Sequence, residues 1–126
     1  MSEIRDFFGC PFTLGIATDH GGVRKKELLL RHLRGKGLAV SDLGPLALDP
    51  QDDYPDYAAE LARQIVQGRI DCGILICRTG IGMCMAANRF HGVRAALAET
   101  VDKARLSRQH NAANVLVTGG DALGET

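Results

Sequence analysis

Short apolar runs, most of them ending at a glycine or a polar turn, alternate with amphipathic helical stretches from Thr13 to Thr118, and this alternation leaves the chain few folds. The strand-like runs are residues 13–18 (TLGIAT), 38–43, 73–77 (GILIC), 93–98 and 114–118. Between them, residues 23–36 place Leu29, Leu30 and Leu33 on one face, with Gly35 and Gly37 closing the helix. A second helix opens at Asp53-Tyr54-Pro55-Asp56-Tyr57, where Pro55 suits the first turn, and repeats Tyr57, Ala58, Leu61, Ala62 and Ile65 at helical spacing up to Gly68. Residues 82–89 form a third, with Met83, Met85, Ala86 and Ala87 as a core stripe, and residues 101–109 a fourth, carrying Arg105 and Arg108. Strands and helices in this order predict an α/β fold: a five-stranded parallel sheet with right-handed crossovers and helices on both faces. Residues 1–12 read as an N-terminal arm and 13–126 as one domain. No helix follows the fifth run, so part of one sheet face is expected to be covered by a second subunit.

Composition narrows the function. Fifteen acidic residues balance fifteen basic ones with no basic block, which argues against nucleic acid or a polybasic membrane surface and for a small-molecule ligand. The first twelve residues include Glu3 and Asp6 and lack the basic region and apolar core of a signal peptide, so a cytoplasmic protein is expected. Cys10, Cys72, Cys77 and Cys84 follow no paired metal-ligand spacing, which predicts free thiols and no metal. Cys72 and Cys77 are an odd number of residues apart and should face opposite sides of the sheet. His32 and His91 read as surface residues.

Cys77 differs from the other three cysteines. It ends the most apolar run and enters the glycine-rich turn Arg78-Thr79-Gly80-Ile81-Gly82, at the sheet edge where ligands bind in open parallel sheets. Thiols at helix N-termini can have pKa values of roughly 3.5 to 7.5, and Arg78 alongside favours the thiolate, so Cys77 is expected to do chemistry. Asp19-His20-Gly21-Gly22 follows the first strand and should converge on the same edge. Asp19 either caps the first helix or faces a ligand, and His20 reads as a site residue. His110-Asn111 follows a helix and precedes a strand. The pair either ends that helix or belongs to a site, and could join the other loops only across a subunit interface. A thiolate, an imidazole and consecutive loop amides together suit proton transfer beside a carbonyl.

The segments Asp19-His20-Gly21-Gly22, Asp53-Tyr54-Pro55-Asp56-Tyr57-Ala58, Gly73-Ile74-Leu75-Ile76-Cys77, Thr79-Gly80-Ile81-Gly82, Ala86-Ala87-Asn88-Arg89, Gly92-Val93-Arg94-Ala95-Ala96 and Ser107-Arg108-Gln109-His110-Asn111 resemble ribose-5-phosphate isomerase type B and the related galactose-6-phosphate isomerase subunits. The resemblance runs from about Leu14 to Gly120. It implies a Rossmann-like three-layer αβα sandwich, a homodimer or dimer of dimers with sites at the subunit interface, a sugar or sugar-phosphate substrate, and no metal or organic cofactor. Cys77 matches the base that moves a proton between C1 and C2 through an enediolate. Thr79 and His110 match positions associated with ring opening, His110 as proton donor. Asp19, His20 and Tyr54 match substrate contacts, and the amides of Arg78, Thr79, Gly80, Ile81 and Gly82, with Asn111, match the group that steadies the enediolate oxygen.

The sequence departs from that pattern at several points. Arg78 stands where such isomerases usually carry glycine, Ala112 replaces the aspartate after the His-Asn pair, and Asp121 occupies the place of a phosphate-binding arginine. The sequence stops at Thr126, where the family continues into a C-terminal helix and tail with further arginines. Arg78 or a partner chain then supplies the lost cations, or the substrate carries its phosphate elsewhere or lacks one. The competing expectation is a sugar-binding protein without activity, or one subunit of a heteromeric isomerase. A nucleotide-binding module is the remotest, since the glycine loop lacks both the full dinucleotide fingerprint and the P-loop lysine.

Overall fold

The three runs at residues 13–18, 72–77 and 115–119 are apolar and buried on both faces, so they lie side by side at the centre of the sheet, with the shorter and more polar runs at its margins. The computed structural model describes residues 13–45 and 53–120. The N-terminal arm with Cys10, most of the loop before Asp53, and Asp121 lie outside the described residues. The elements are β1 (Thr13–Thr18), a 3-10 turn (His20–Gly22), α1 (Val23–Gly35), β2 (Ala39–Asp42), α2 (Tyr54–Val66), β3 (Cys72–Cys77), α3 (Ile81–Ala87), β4 (Ala95–Leu97), α4 (Val101–Asn111) and β5 (Val115–Gly119). All pairs are parallel, in the order β2-β1-β3-β5-β4.

Alternate residues of each strand feed two separate cores. On one face Ala17, Leu75, Cys77, Val115 and Val117 pack under α2 and α3, which contribute Ala58, Leu61, Ala62, Met83 and Ala87. On the other, Leu14, Ile16, Ile74 and Ile76 meet Leu30 of α1, with Leu29, Leu33 and Cys72 at the margin. Cys72 and Cys77 therefore do face opposite sides. Fully buried side chains such as Ile16, Leu61, Leu75 and Ile76 contribute about 1.5 to 3 kcal/mol each on removal from water.

Two details differ from expectation. Met85 is 67% exposed rather than core: at 100° per residue it lies on the far side of α3 from the buried pair Met83 and Ala87, which are four residues apart. The fourth strand is shorter than residues 93–98. Asn88 accepts from the Ala95 N–H (2.8 Å) and donates to the Ala95 carbonyl (2.9 Å), while the Arg94 N–H goes to Asn114 Oδ1 (2.7 Å), so the strand begins only at Ala95. Helix α4 has no fully buried residue, with Val101 84% exposed, and a groove of about 210 Å³ runs beneath it, lined by Leu14, Ile74, Ala104, Val115 and Leu116 among others. His32 and His91 are exposed. No helix among the described residues is long and apolar enough to cross a membrane.

Candidate active site

Parallel register sets the ends of β1, β3 and β5 level. Thr18 pairs with Ile76, and Cys77 with Gly119. Cys77 is only 5% exposed at this edge, and its Sγ accepts the Gly80 N–H at 3.1 Å. That bond requires the chain to turn back at Gly80, where φ is 85° and a Cβ would lie 2.6 Å from Leu97 Cδ1 and 3.1 Å from the Thr118 carbonyl carbon. Helix α3 starts at the next residue. The Thr79 hydroxyl accepts the Ile81 N–H at 3.2 Å, so it serves as a local cap. Arg78 and Ile81 are exposed.

Asp19 meets this loop from β1. Its backbone N–H reaches the Ile76 carbonyl at 3.2 Å, its side chain is buried, and its carboxylate accepts the Gly21 N–H at 2.8 Å. The capping role is thus real, and it fixes one carboxylate oxygen at the site edge. His20 is exposed on the same turn. A Cβ on Gly21 would stand 3.1 Å from the Arg78 nitrogen, which measures how closely the two loops touch. Tyr54, in the first turn of α2, lays its ring over Gly82: a Cβ there would come within 2.6 Å of Tyr54 Cζ and 3.0 Å of its hydroxyl. The structure thus brings together Asp19, His20, Tyr54, Cys77, Arg78, Thr79, Gly80, Ile81 and Gly82.

It does not bring His110 and Asn111 to them within one chain. They are the exposed last residues of α4, before β5 begins at Val115. Val115 pairs with Gly73 and Gly119 with Cys77, four residues on, so the strand alone separates the two groups by about 13 Å at about 3.3 Å per residue. The turn that follows is held by arginines: Arg94 Nε donates to the Ala112 carbonyl at 2.9 Å and Arg108 to the Ala113 carbonyl at 2.6 Å, around an Ala112 with φ of 49°.

Sequence reasoning passed over Gly119, Gly120 and Lys25. The Gly120 N–H donates to the Cys77 carbonyl at 2.6 Å, and a side chain on either glycine would collide with the backbone of Arg78 or Gly21. Lys25 Nζ donates to the Gly119 carbonyl at 3.0 Å. The available signal was a glycine pair ending a parallel strand, on the same edge as the other two loops. Cys72, Cys77 and Cys84 are free thiols. Burial pushes the Cys72 and Cys84 thiols up, only partly opposed by Arg108 at Cys72 and by a backbone hydrogen bond at Cys84. No group of three His, Cys, Asp or Glu side chains suited to a metal occurs among the described residues.

The family model described as Ribose/Galactose Isomerase matches residues 14–126. The chain is 52% identical over 101 residues to a protein of Mycoplasma pneumoniae named probable ribose-5-phosphate isomerase B, a stretch covering 80% of this chain and 66% of that one. It is 41% identical over 117 residues to ribose-5-phosphate isomerase B of Escherichia coli, covering 93% and 72%. Among solved structures, ribose-5-phosphate isomerase B of Mycoplasma genitalium with bound ribulose-5-phosphate superposes with a TM-score of 0.86 at 44% identity, over 90% of this chain and 76% of that one. The Thermotoga maritima ribose 5-phosphate isomerase does so with 0.87 at 45% identity, over 90% and 78%.

Proposed function

The chain belongs to the ribose/galactose isomerase family, and from that premise we propose that it interconverts an aldose and a ketose of the ribose 5-phosphate and ribulose 5-phosphate type. The observation that carries this reading is Cys77: a nearly buried thiol at the end of β3, its sulfur held by the Gly80 amide, bordered by Asp19 and by the loop into α3. In the open-chain aldose the Cys77 thiolate takes the C2 proton; the C2–H electron pair becomes the second C1–C2 bond, and the π pair of the C1–O1 carbonyl moves onto O1. The thiol returns a proton to C1, while a proton passes from O2 to O1, leaving the ketose. The amides of residues 78–82 and Asn111 steady the enediolate oxygen. Asp19, His20 and Tyr54 hold the sugar, Thr79 and His110 open the ring with His110 as proton donor, and Arg78 contributes a cation near the substrate.

His110 and Asn111 belong in this mechanism as residues of a second copy, in a homodimer or dimer of dimers whose sites are shared. Their separation from Cys77 and the poorly covered α4 support that arrangement. The same separation favours a second reading, in which the chain is one subunit of a heteromeric isomerase. Free thiols at all three described cysteines support a cytoplasmic location.

Deuterium exchange tests the proposal. In deuterated water with ribose 5-phosphate, ribulose 5-phosphate and the corresponding free sugars, we expect label at C1 and C2 that disappears in Cys77→Ala. A folded oligomer of this chain alone that labels no sugar refutes the homomeric enzyme and leaves the heteromeric reading.

A further inference from the structure

Lys26 is 2% exposed, an uncommon position for an ammonium group. Its Nζ donates to both carboxylate oxygens of Asp42, at 2.9 and 3.1 Å, and to the Pro45 carbonyl. Three donors thus meet three acceptors, with none left over. Asp42 Oδ1 also accepts the Gly44 N–H at 3.0 Å, and the Gly44 carbonyl accepts the Thr18 N–H at 3.0 Å. Thr18 Oγ1 in turn donates to the Ile76 carbonyl at 2.8 Å, beside the bond from the Asp19 N–H to that same carbonyl.

These bonds close a ring. The loop Asp19–Gly22 leaves β1 next to Thr18, which is tied to the turn after β2, and it enters α1, which Lys26 ties to that same turn. Both ends of the loop are therefore referred to one segment, residues 42–45. We propose that Lys26 is a positioning residue for Asp19 and His20, acting through Asp42 and the turn after β2. The inference rests on the reading that Asp19 and His20 touch the substrate. Burial of a pair that apolar residues could often replace without loss of stability fits a role in directional placement, since the pair fixes an angle and a distance where apolar packing fixes neither.

The test is the double variant Lys26→Met with Asp42→Asn, which removes both charges yet keeps an acceptor for the Gly44 N–H. Thermal unfolding, hydrogen exchange at the amides of residues 20–22 and steady-state kinetics with ribose 5-phosphate are compared with wild type. We expect a folded variant whose loop amides exchange faster and whose KM rises on the order of 10- to 100-fold with little change in kcat. Unchanged exchange and unchanged KM in a folded variant overturn the proposal. If the double variant does not fold, Asp42→Asn alone decides it, with an intermediate rise in KM expected and no rise refuting. Wild type inactive on every sugar phosphate refutes the isomerase reading instead, and the amide-exchange comparison then decides the positioning role alone.

Discussion

Replacing Gly82 by alanine separates the place of Tyr54 from the stability of the fold. Gly82 is the second residue of α3, so alanine improves helix propensity by up to about 1 kcal/mol. The added Cβ would lie 2.6 Å from Tyr54 Cζ, 2.8 Å from Cε2 and 3.0 Å from the hydroxyl, all at the far end of one side chain. Ordinary carbon contacts are about 3.5 to 4.0 Å, so the ring must retreat by about 1 Å. Tyr54 is 37% exposed and has room to swing outward, losing packing that roughly offsets the helical gain. Net stability should then change by no more than about 1 kcal/mol, a shift of a few degrees in Tm for a chain of this size. The functional effect is larger. On the proposal that the Tyr54 hydroxyl bonds the substrate, moving it by about 1 Å breaks that hydrogen bond, about 0.5 to 1.5 kcal/mol, or roughly a two- to twelvefold rise in KM with kcat nearly unchanged. Calorimetry and steady-state kinetics read both quantities, and Tyr54→Phe should reproduce the KM. A fall in Tm of more than about 10 °C shows that the ring does not yield, and a wild-type KM in the folded variant removes Tyr54 from the site.

Further outcomes follow from other parts of the molecule. If His110 acts across a dimer, Cys77→Ala and His110→Gln are each inactive, and equal amounts unfolded and refolded together regain about a quarter of wild-type activity, because half the dimers then hold one intact site of two; no recovery from refolded mixed dimers refutes the shared site. Ala112 sits at the end of α4 with φ of 49°, so Ala112→Gly should stabilise by about 1 kcal/mol in urea unfolding. Lys26→Met alone leaves Asp42 unpaired at a partly buried position and should cost about 3 kcal/mol, measured the same way. Cys72 and Cys84 are raised by burial, so the folded state holds their protons longer than the unfolded one. That contribution is fully present below the ordinary thiol value of 9.0 and is lost as pH rises above it. Unfolding free energy should fall in that alkaline range, and less steeply in Cys72→Ala.

The convergence of Asp19 and Cys77 was legible in the chain because parallel strands put every strand-to-helix loop on one edge, and the same rule placed His110 on the other. Strand β1 was legible to the residue, since Asp19-His20-Gly21-Gly22 bounds it on one side. Other features depend on partners remote in sequence. Lys26 sits in a run of basic residues and is buried only because Asp42 and Pro45 arrive beside it from the next strand. Gly119 and Gly120 look like ordinary turn residues until Arg78 and Gly21 are placed against them. Met85 shares the apolar character of Met83, and only the phase of a seven-residue helix separates them. For Thr79 the resemblance supplied a chemical role, while the structure adds a cap on Ile81 that composition could not reveal.

The pairing of Asn88 with Ala95 has a further consequence. Both backbone groups of Ala95 point away from β5, where another strand would otherwise bind, and the Asn88 amide meets them as a peptide group would. The margin of the sheet is thereby closed at that point by side chains, Asn88 at both groups and the Cys84 thiol as a second donor to the Ala95 carbonyl at 3.5 Å. A foreign strand has no free donor and acceptor at Ala95 to template on, which guards against edge-to-edge aggregation. If copies of this chain share their sites as proposed, their contact is then expected to avoid pairing through β4 at Ala95.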